Sequence, residues 1–243
     1  MLKTLWTTVL YQPIYNAFIL LVSVMPNHDV GFAIILITVV IKIILFPLTQ
    51  RMIDSQVKMN ALQPEIEKIK KEYPNKLEQA KATQELYKKY KVNPFSSCLP
   101  LIIQMIVLIA LYQVFRGILN EVSVPGLYSF VANPEKINME FLGFIDLSAK
   151  KNLIFALLAG GTQFLQAKLM EKRQTKPTGE GMQAEIQRSM QTQMTYIMPI
   201  MMGGISYFFP AAVALYLITS NIFTVAQEFY TIRKLRKGAR VAV

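Results

Sequence analysis

Lys42 stands inside GFAIILITVVIKIILFPL (31–48), an apolar run that carries no other charge. A charge near the middle of a bilayer costs about 2.5–3.5 kcal/mol on insertion scales, so a chain that keeps one usually turns it toward water or a partner. The chemistry on offer is electrostatic. A cation held there can stabilise an anionic group that arrives from elsewhere. Thr38 lies one turn earlier on the same helix face. Other apolar runs also carry polar residues: Gln104; Gln163 and Gln166; Thr219, Ser220, Asn221 and Gln227. Any one of these alone reads as an interhelical hydrogen bond worth under about 1 kcal/mol. Together with a cation they point to a hydrated cavity. No Asp or Glu lies in the core of any run, and Glu228 sits only near the end of the last one. A structural salt bridge to Lys42 is therefore not expected.

Covalent chemistry finds little support. Gly204-Ile205-Ser206 could hold a nucleophile, but the only histidine, His28, lies outside the apolar runs and cannot serve as its base. The only cysteine, Cys98, has no histidine near it in sequence and allows no intrachain disulfide. Phosphate-binding glycine loops, zinc spacings and paired catalytic carboxylates are not found, so neither an enzyme nor a cofactor is expected. Met105, Met194, Met198, Met201 and Met202 cluster in two runs. Flexible thioethers suit surfaces that accept varied apolar partners, although they serve equally well as core filler.

The elements that must position these residues are membrane spans. Hydrophobic residues make up 53% of the 243, against 17% charged, which is too apolar for an ordinary soluble domain. Five runs are long enough, or nearly so, to cross: 31–48, 99–116, 152–169, 194–209 and 211–230. Several are shorter than the roughly 20 residues that a ~30 Å hydrocarbon core requires. Such runs extend into polar flanks or thin the bilayer.

Basic residues orient the spans. Twenty of the 26 lysines and arginines fall in 49–91, 168–190 and 233–240, which five spans place on one side. That side is expected to be cytoplasmic, with the C-terminus there and the N-terminus outside. The connection 117–151 is acidic enough to lie outside. Residues 2–25 carry a polar stripe, Thr4, Thr8, Gln12 and Asn16, opposite apolar faces, and are expected to form an amphipathic helix in the outer interface, broken or restarted at Pro13. A sixth span is the alternative. No signal-cleavage pattern is read there.

Residues 51–91 read as a cytoplasmic helical hairpin. Met59, Leu62, Ile66, Ile69 and Tyr73 recur at 3-4-3-4 spacing, a coiled-coil seam. Tyr73-Pro74-Asn75 breaks the helix, and Leu77, Ala80, Leu86, Tyr87 and Tyr90 can line its return. Pro64 fits a kink or a restart. The basic surface suits a ribosome or anionic lipid head groups, or is simply a solvated face with six acidic residues interspersed.

Four stretches then converge on a family: GFAIILITVVIKIILFPLTQ (31–50), MNALQPEIEKI (59–69), NPFSSCLPLIIQM (93–105) and MPIMMGGISYFFPAAVALYLITSNIFTVAQE (198–228). In this order, with a hairpin after the first span, the chain resembles the YidC membrane-protein insertases of the Oxa superfamily, in a minimal form without a large extracytoplasmic domain. The resemblance implies an all-α polytopic membrane protein of the bacterial cytoplasmic membrane: five transmembrane helices, an N-terminal interfacial helix and a cytoplasmic helical hairpin, in one insertase domain over 1–243. It implies a hydrophilic groove open to cytoplasm and lipid and closed to the outside. Thr38, Gln104 and Met105 match groove-side positions, and Ile205 and Tyr216 match the side where client helices slide. With Lys42 and Gln163 these are the candidate groove residues. Relatives usually place arginine where Lys42 stands. Positive charge is kept, but the rigid donor fork of arginine is not. Ser96-Ser97, where glycine is common, and Ile106, where proline often follows, depart further.

The resulting expectation is an insertase and chaperone that uses no nucleotide. Its partners would be nascent membrane-protein clients, the lipid bilayer, and the ribosome through 51–91 and the tail 233–240; the Sec translocon is left open. A client's polar flank would enter the groove beside Lys42, and its apolar segment would slide into lipid along the third and fifth spans, driven by hydrophobic transfer. The competing readings are a transporter using Lys42 as counter-ion, for which no internal repeat is found, and a scaffold that only assembles other membrane subunits.

Overall fold

The computed structural model describes residues 2–93, 99–119, 127–132, 134, 137–173, 188–189 and 191–241. Cys98 and Ser96-Ser97 lie outside the described residues, as do the side chains of 234–243.

Among the described residues, eight helical elements longer than a single turn carry the fold. They are α1 (2–24), α2 (Val30–Ala61), α3 (Gln63–Glu72), α4 (Lys76–Lys89), α5 (Leu99–Leu119), α6 (Leu153–Arg173), α7 (193–208) and α8 (Ala211–Val241). The one sheet among the described residues is a two-residue ladder, β1 (Glu140–Phe141) against β2 (Ile145–Asp146). The helices are long because their apolar runs lack internal breakers. Pro47 lies inside α2 without ending it.

Among the described residues five helices are long and apolar enough to cross a bilayer: Lys3–Val24, Val30–Ala61, Leu99–Ile118, Leu153–Glu171 and Ala211–Thr231. The expected span 194–209 is not among them. It corresponds to α7, a five-residue π turn followed by eleven α-helical residues, roughly 24 Å long at 1.5 Å per residue. α7 nonetheless lies lengthwise against α6 in the most extensive helix contact among the described residues. Gly160 and Gly203 face each other there. A Cβ on Gly203 would stand 3.2 Å from the Ala156 carbonyl, and one on Gly160 the same distance from the Pro199 carbonyl. Small residues let two backbones approach closely where no hydrophobic effect drives helices together.

The main apolar core is confined to one end of the bundle. It contains Val30 to Ile37 of α2, Leu108 to Phe115 of α5, Phe155 and Ala159 of α6, Met202 of α7 and Ala211 to Leu217 of α8. The same end is capped by the connection before α6. Val30 N donates to Asn138 O, Ala212 N to Leu147 O, Ala211 N to Ala149 O and Lys151 N to Tyr207 O, at 2.8 to 3.0 Å. Leu147 is fully buried among these helix ends. Asp29 ties the cap to α2: its Oδ1 accepts from Gly31 N at 2.7 Å, and its Oδ2 accepts from Leu142 N at 3.3 Å. Asp29→Ala removes an N-cap and orphans the Leu142 amide, an expected loss of about 2 kcal/mol. A lowered thermal midpoint in detergent checks this; Asp29→Asn, whose one amide oxygen can keep the cap on Gly31 N but whose nitrogen cannot accept from Leu142 N, should restore only part of it.

α1 belongs to the capped end as well. The Trp6 indole donates to Gln113 Oε1 at 2.8 Å, and the Phe18 and Phe115 rings meet edge to face at 5.6 Å. Trp6 and Phe18, about 18 Å apart along α1, therefore meet residues only two positions apart on α5. The two helices cross steeply rather than run side by side. Asn16 Oδ1 also accepts from Tyr128 N in the cap. Pro13 does not break α1. A π turn at Thr7–Tyr11 precedes it and absorbs the register change.

At the opposite end α2 runs without interruption to Ala61, so the expected hairpin 51–91 begins as a rigid continuation of the first span. The break falls at Leu62, where Pro64 opens α3. The seam is shorter than its spacing predicts. Leu62, Ile66 and Ile69 pack against Leu86, Tyr87 and Val92, whereas Tyr73, Leu77 and Tyr90 are exposed. Asn75 caps α4 by accepting from Leu77 N, and Gln79 Nε2 donates to the Tyr73 carbonyl. These bonds turn the chain before Tyr73 and Leu77 can face each other.

Candidate functional site

Below the apolar core the facing surfaces of α2, α5 and α8 become polar. Along α8 the residues Tyr216, Ser220, Thr224, Gln227 and Thr231 recur at 4-4-3-4 spacing and share one helix face. Each of them meets a polar group of another helix, directly or through its neighbour. Lys42 Nζ donates to Thr224 Oγ1 at 3.0 Å, and Thr224 Oγ1 donates to the Ser220 carbonyl. Ser220 Oγ donates to Gln104 Oε1 at 3.1 Å, and Gln104 Nε2 donates to the Tyr216 hydroxyl at 2.8 Å. Nearer the hairpin, Gln227 Nε2 donates to Thr49 Oγ1 at 2.9 Å and Thr231 Oγ1 to Gln50 Oε1 at 3.3 Å.

The upper part of this string spans three helices and centres on a cation. Lys42 lies twelve residues into α2, about 18 Å along the helix, near the middle of a ~30 Å hydrocarbon core. Its hydrogen-bond partner is a neutral hydroxyl. Among the described residues the one ion pair is Lys168 with Glu171, at the far end of α6. A hydroxyl oxygen accepts one bond from the ammonium and leaves its other donors to water or an arriving acceptor.

The expected residues divide. Lys42, Gln104 and Tyr216 are brought together in the string. Thr38 is fully buried and its hydroxyl donates to the Ile34 carbonyl at 2.6 Å, so it is satisfied within its own helix. Met105 and Ile205 are half-buried and packed against the apolar core rather than the polar string. Gln163 is half-buried on α6, outside the hydrogen-bonded set. Neighbouring polar residues of α6 and α8 serve packing: Asn221 Nδ2 donates to Thr162 Oγ1 at 3.1 Å. Thr224, the acceptor for Lys42, was not singled out by sequence. Its signal was available in the stripe 216-220-224-227-231, which sits in register with an intramembrane lysine.

The surroundings of the string are unequal. α8 is flanked by α2 and α6, against both of which it packs along much of its length. α5 has its main neighbours in α1, α2 and α8. α5 reaches the turn after α7 at the capped end, where the Tyr112 and Phe209 rings meet at 4.9 Å. The string is therefore roofed by the apolar core, backed by α2 and α8, and flanked by α5.

Comparison with known proteins bears on what such a site does. A family model described as "60Kd inner membrane protein" matches residues 21–238. The chain is 37% identical over 219 residues to the membrane protein insertase YidC of Clostridium tetani, covering 90% of this chain and 88% of that one. It is 34% identical over 231 residues to the membrane protein insertase YidC of Oceanobacillus iheyensis, covering 92% and 82%. Among solved structures it is similar to an active YidC insertase with its first transmembrane domain resolved, at TM-score 0.58 and 27% identity. That likeness covers 93% of this chain and 46% of the other, so the chain spans less than half of the solved protein.

Proposed function

The chain belongs to the family of YidC membrane protein insertases, and from that premise we propose that it inserts membrane-protein clients by way of the polar string around Lys42. The observation that carries the reading is the cation near mid-bilayer whose partner is a hydroxyl, set below an apolar roof. A client's hydrophilic flank arrives from the hairpin end, and water and the side chains of Gln104 and Ser220 lower the cost of bringing it part-way across. An acidic residue in that flank takes the ammonium of Lys42 from Thr224. The apolar roof and the stitched cap stop it from passing straight through. The client's apolar segment leaves sideways into lipid, down its hydrophobic gradient. No covalent step and no nucleotide are required.

One detail differs from the sequence expectation. Exit along the third and fifth spans is disfavoured, because α6 and α8 are packed on each other and joined through Asn221 and Thr162. The seam between α5 and α7, where Tyr112 meets Phe209 at the capped end, is the better exit and is bordered by Met105 and Ile205. α1, which crosses α5 steeply and contacts only the capped end, is read as lying in the interface. α7 is read as a short span along α6. The hairpin end is assigned to the cytoplasm on the positive-inside pattern. The hairpin 51–91 and the tail 233–240 are assigned to ribosome contact on their charge.

Photo-crosslinking tests the reading. A photoreactive residue at position 105 or 205 is expected to form adducts with stalled nascent membrane proteins, and one at Leu157, on the exposed face of α6, is not. Equal labelling at all three, or none at 105 and 205, overturns the exit seam. A transporter gives no client adducts anywhere. Within the string, Gln104→Leu with Ser220→Ala removes the link between α5 and α8. A loss of about 1–2 kcal/mol is expected, read as a lowered midpoint in detergent melts.

A further inference from the structure

We propose that the turn between β1 and β2 is a membrane anchor, inserting Leu142 and Phe144 among the lipid head groups at the capped end of the bundle. Phe144 is 77% exposed and Leu142 51%. Large apolar side chains on a water-facing turn are costly to display, and this turn is built to display them. Leu142 adopts φ +57 and Gly143 φ +79, and the left-handed region is unusual for leucine. The turn is bolted in place on both sides. The Leu142 amide donates to Asp29 Oδ2, and Phe141 is buried edge to face against Phe32 at 5.4 Å. Gly31 leaves the room that ring occupies, since a Cβ there would overlap the Phe141 side chain.

The position of the turn identifies its occupant. It sits on the first turn of α2, at the membrane boundary of that span. Down α2 from the same point runs an exposed apolar stripe, Phe32, Leu36, Val40 and Ile43, at helical spacing. That stripe belongs to a membrane-spanning helix and faces lipid, and Leu142 and Phe144 continue it past the helix end. Phenylalanine and leucine side chains at that depth gain by burying apolar area in the boundary between head groups and acyl chains. A rigid wedge there fixes the depth of α2, and with it the depth of Lys42.

Tryptophan fluorescence tests this in proteoliposomes. Trp6 is the single native tryptophan, so Phe144→Trp is placed in a Trp6→Phe background, with Glu140→Trp on the exposed side of β1 as the water-facing reference. The expected result is that lipid brominated near the head group quenches the tryptophan at 144 several-fold more than the one at 140, while aqueous iodide shows the reverse order. Iodide access equal at the two positions overturns the proposal. So does protection at 144 that fades as protein is diluted in lipid, which would identify a second copy as the occupant. If the tryptophan variant does not fold, a nitroxide on Phe144→Cys in a Cys98→Ser background reads the same depth from collisions with oxygen against a water-soluble nickel chelate. Neither readout depends on insertion activity, so this anchor can fail while the insertase reading stands.

Discussion

Lys42→Ala should slow insertion of clients with acidic translocated tails by about ten- to a hundred-fold while leaving neutral-tailed clients almost unchanged. The magnitude follows from losing a charge-assisted hydrogen bond, about 1.5–3 kcal/mol, at 1.36 kcal/mol per tenfold in rate. The selectivity follows from the geometry. In the resting protein the ammonium donates to Thr224 Oγ1, a bond that under the proposed mechanism a client carboxylate would exchange for a stronger one. A neutral tail has little to offer in exchange. Lys42→Arg keeps the charge and should retain most activity, because the string offers no bidentate acceptor that would demand one cation over the other. Lys42→Glu should invert the preference and favour lysine-bearing tails. The measurement is protease protection of matched clients differing only in tail charge, at equal insertase levels. Equal losses for acidic and neutral tails after Lys42→Ala would sink the charge-exchange mechanism.

Thr224→Val separates the resting partner from the cation itself. It removes the hydroxyl but leaves Lys42, so acidic clients should insert at an unchanged or slightly higher rate. The cost falls on the resting state, where the ammonium loses a satisfied donor in a partly dry site. A strong defect from this variant would instead make Thr224 a client contact.

The spans, the lysine and the polar residues of α5 and α8 could be read from sequence because each is a local departure from an apolar background. Lys42, Gln104 and Ser220 needed only the eighteen-residue scale of a span to stand out, whereas Tyr216 entered through the family resemblance. The division into an apolar roof and a polar string was harder. It appears only when α2, α5 and α8 are aligned in depth, so that Ile37, Leu108 and Leu217 fall on one side of a boundary and Lys42, Gln104 and Ser220 on the other. Thr38 shows the limit of face arguments. It shares a helix face with Lys42, yet a hydroxyl within reach of the carbonyl four residues back satisfies itself. The cap was not legible at all. Its backbone bonds join Asn138 to Val30 and Leu147 to Ala212, pairings far apart in sequence that impose no periodicity. The hairpin seam was overextended because a 3-4 repeat records which residues can face a partner, not how far the partner helix extends.

The paired glycines give a prediction of opposite sign at adjacent positions. Gly160 and Gly161 are neighbours on α6, and Gly203 and Gly204 on α7. Only the first of each pair lies in the helix contact. A Cβ on Gly160 or Gly203 meets a backbone carbonyl at 3.2 Å and the facing glycine Cα at 3.6 Å, and backbone atoms cannot rotate away as a side chain can. The two helices must separate, which loosens contacts along the whole pair. Gly160→Ala and Gly203→Ala should each destabilise by about 1–3 kcal/mol, the usual range for overpacking, and leucine at either site by more. A Cβ on Gly161 or Gly204 meets nothing within 4 Å. Alanine there removes backbone freedom from a helix interior and should be neutral or stabilising by up to about 1 kcal/mol. Because α7 is too short to hold its place by length alone, the close contact with α6 is what keeps Ile205 beside the proposed exit seam. The contact-side variants should therefore lose insertion activity for acidic and neutral clients alike, unlike Lys42→Ala. Thermal midpoints of the four alanine variants, measured side by side in one detergent, decide it. Equal shifts within each pair would mean that the α6–α7 contact is looser than this geometry requires.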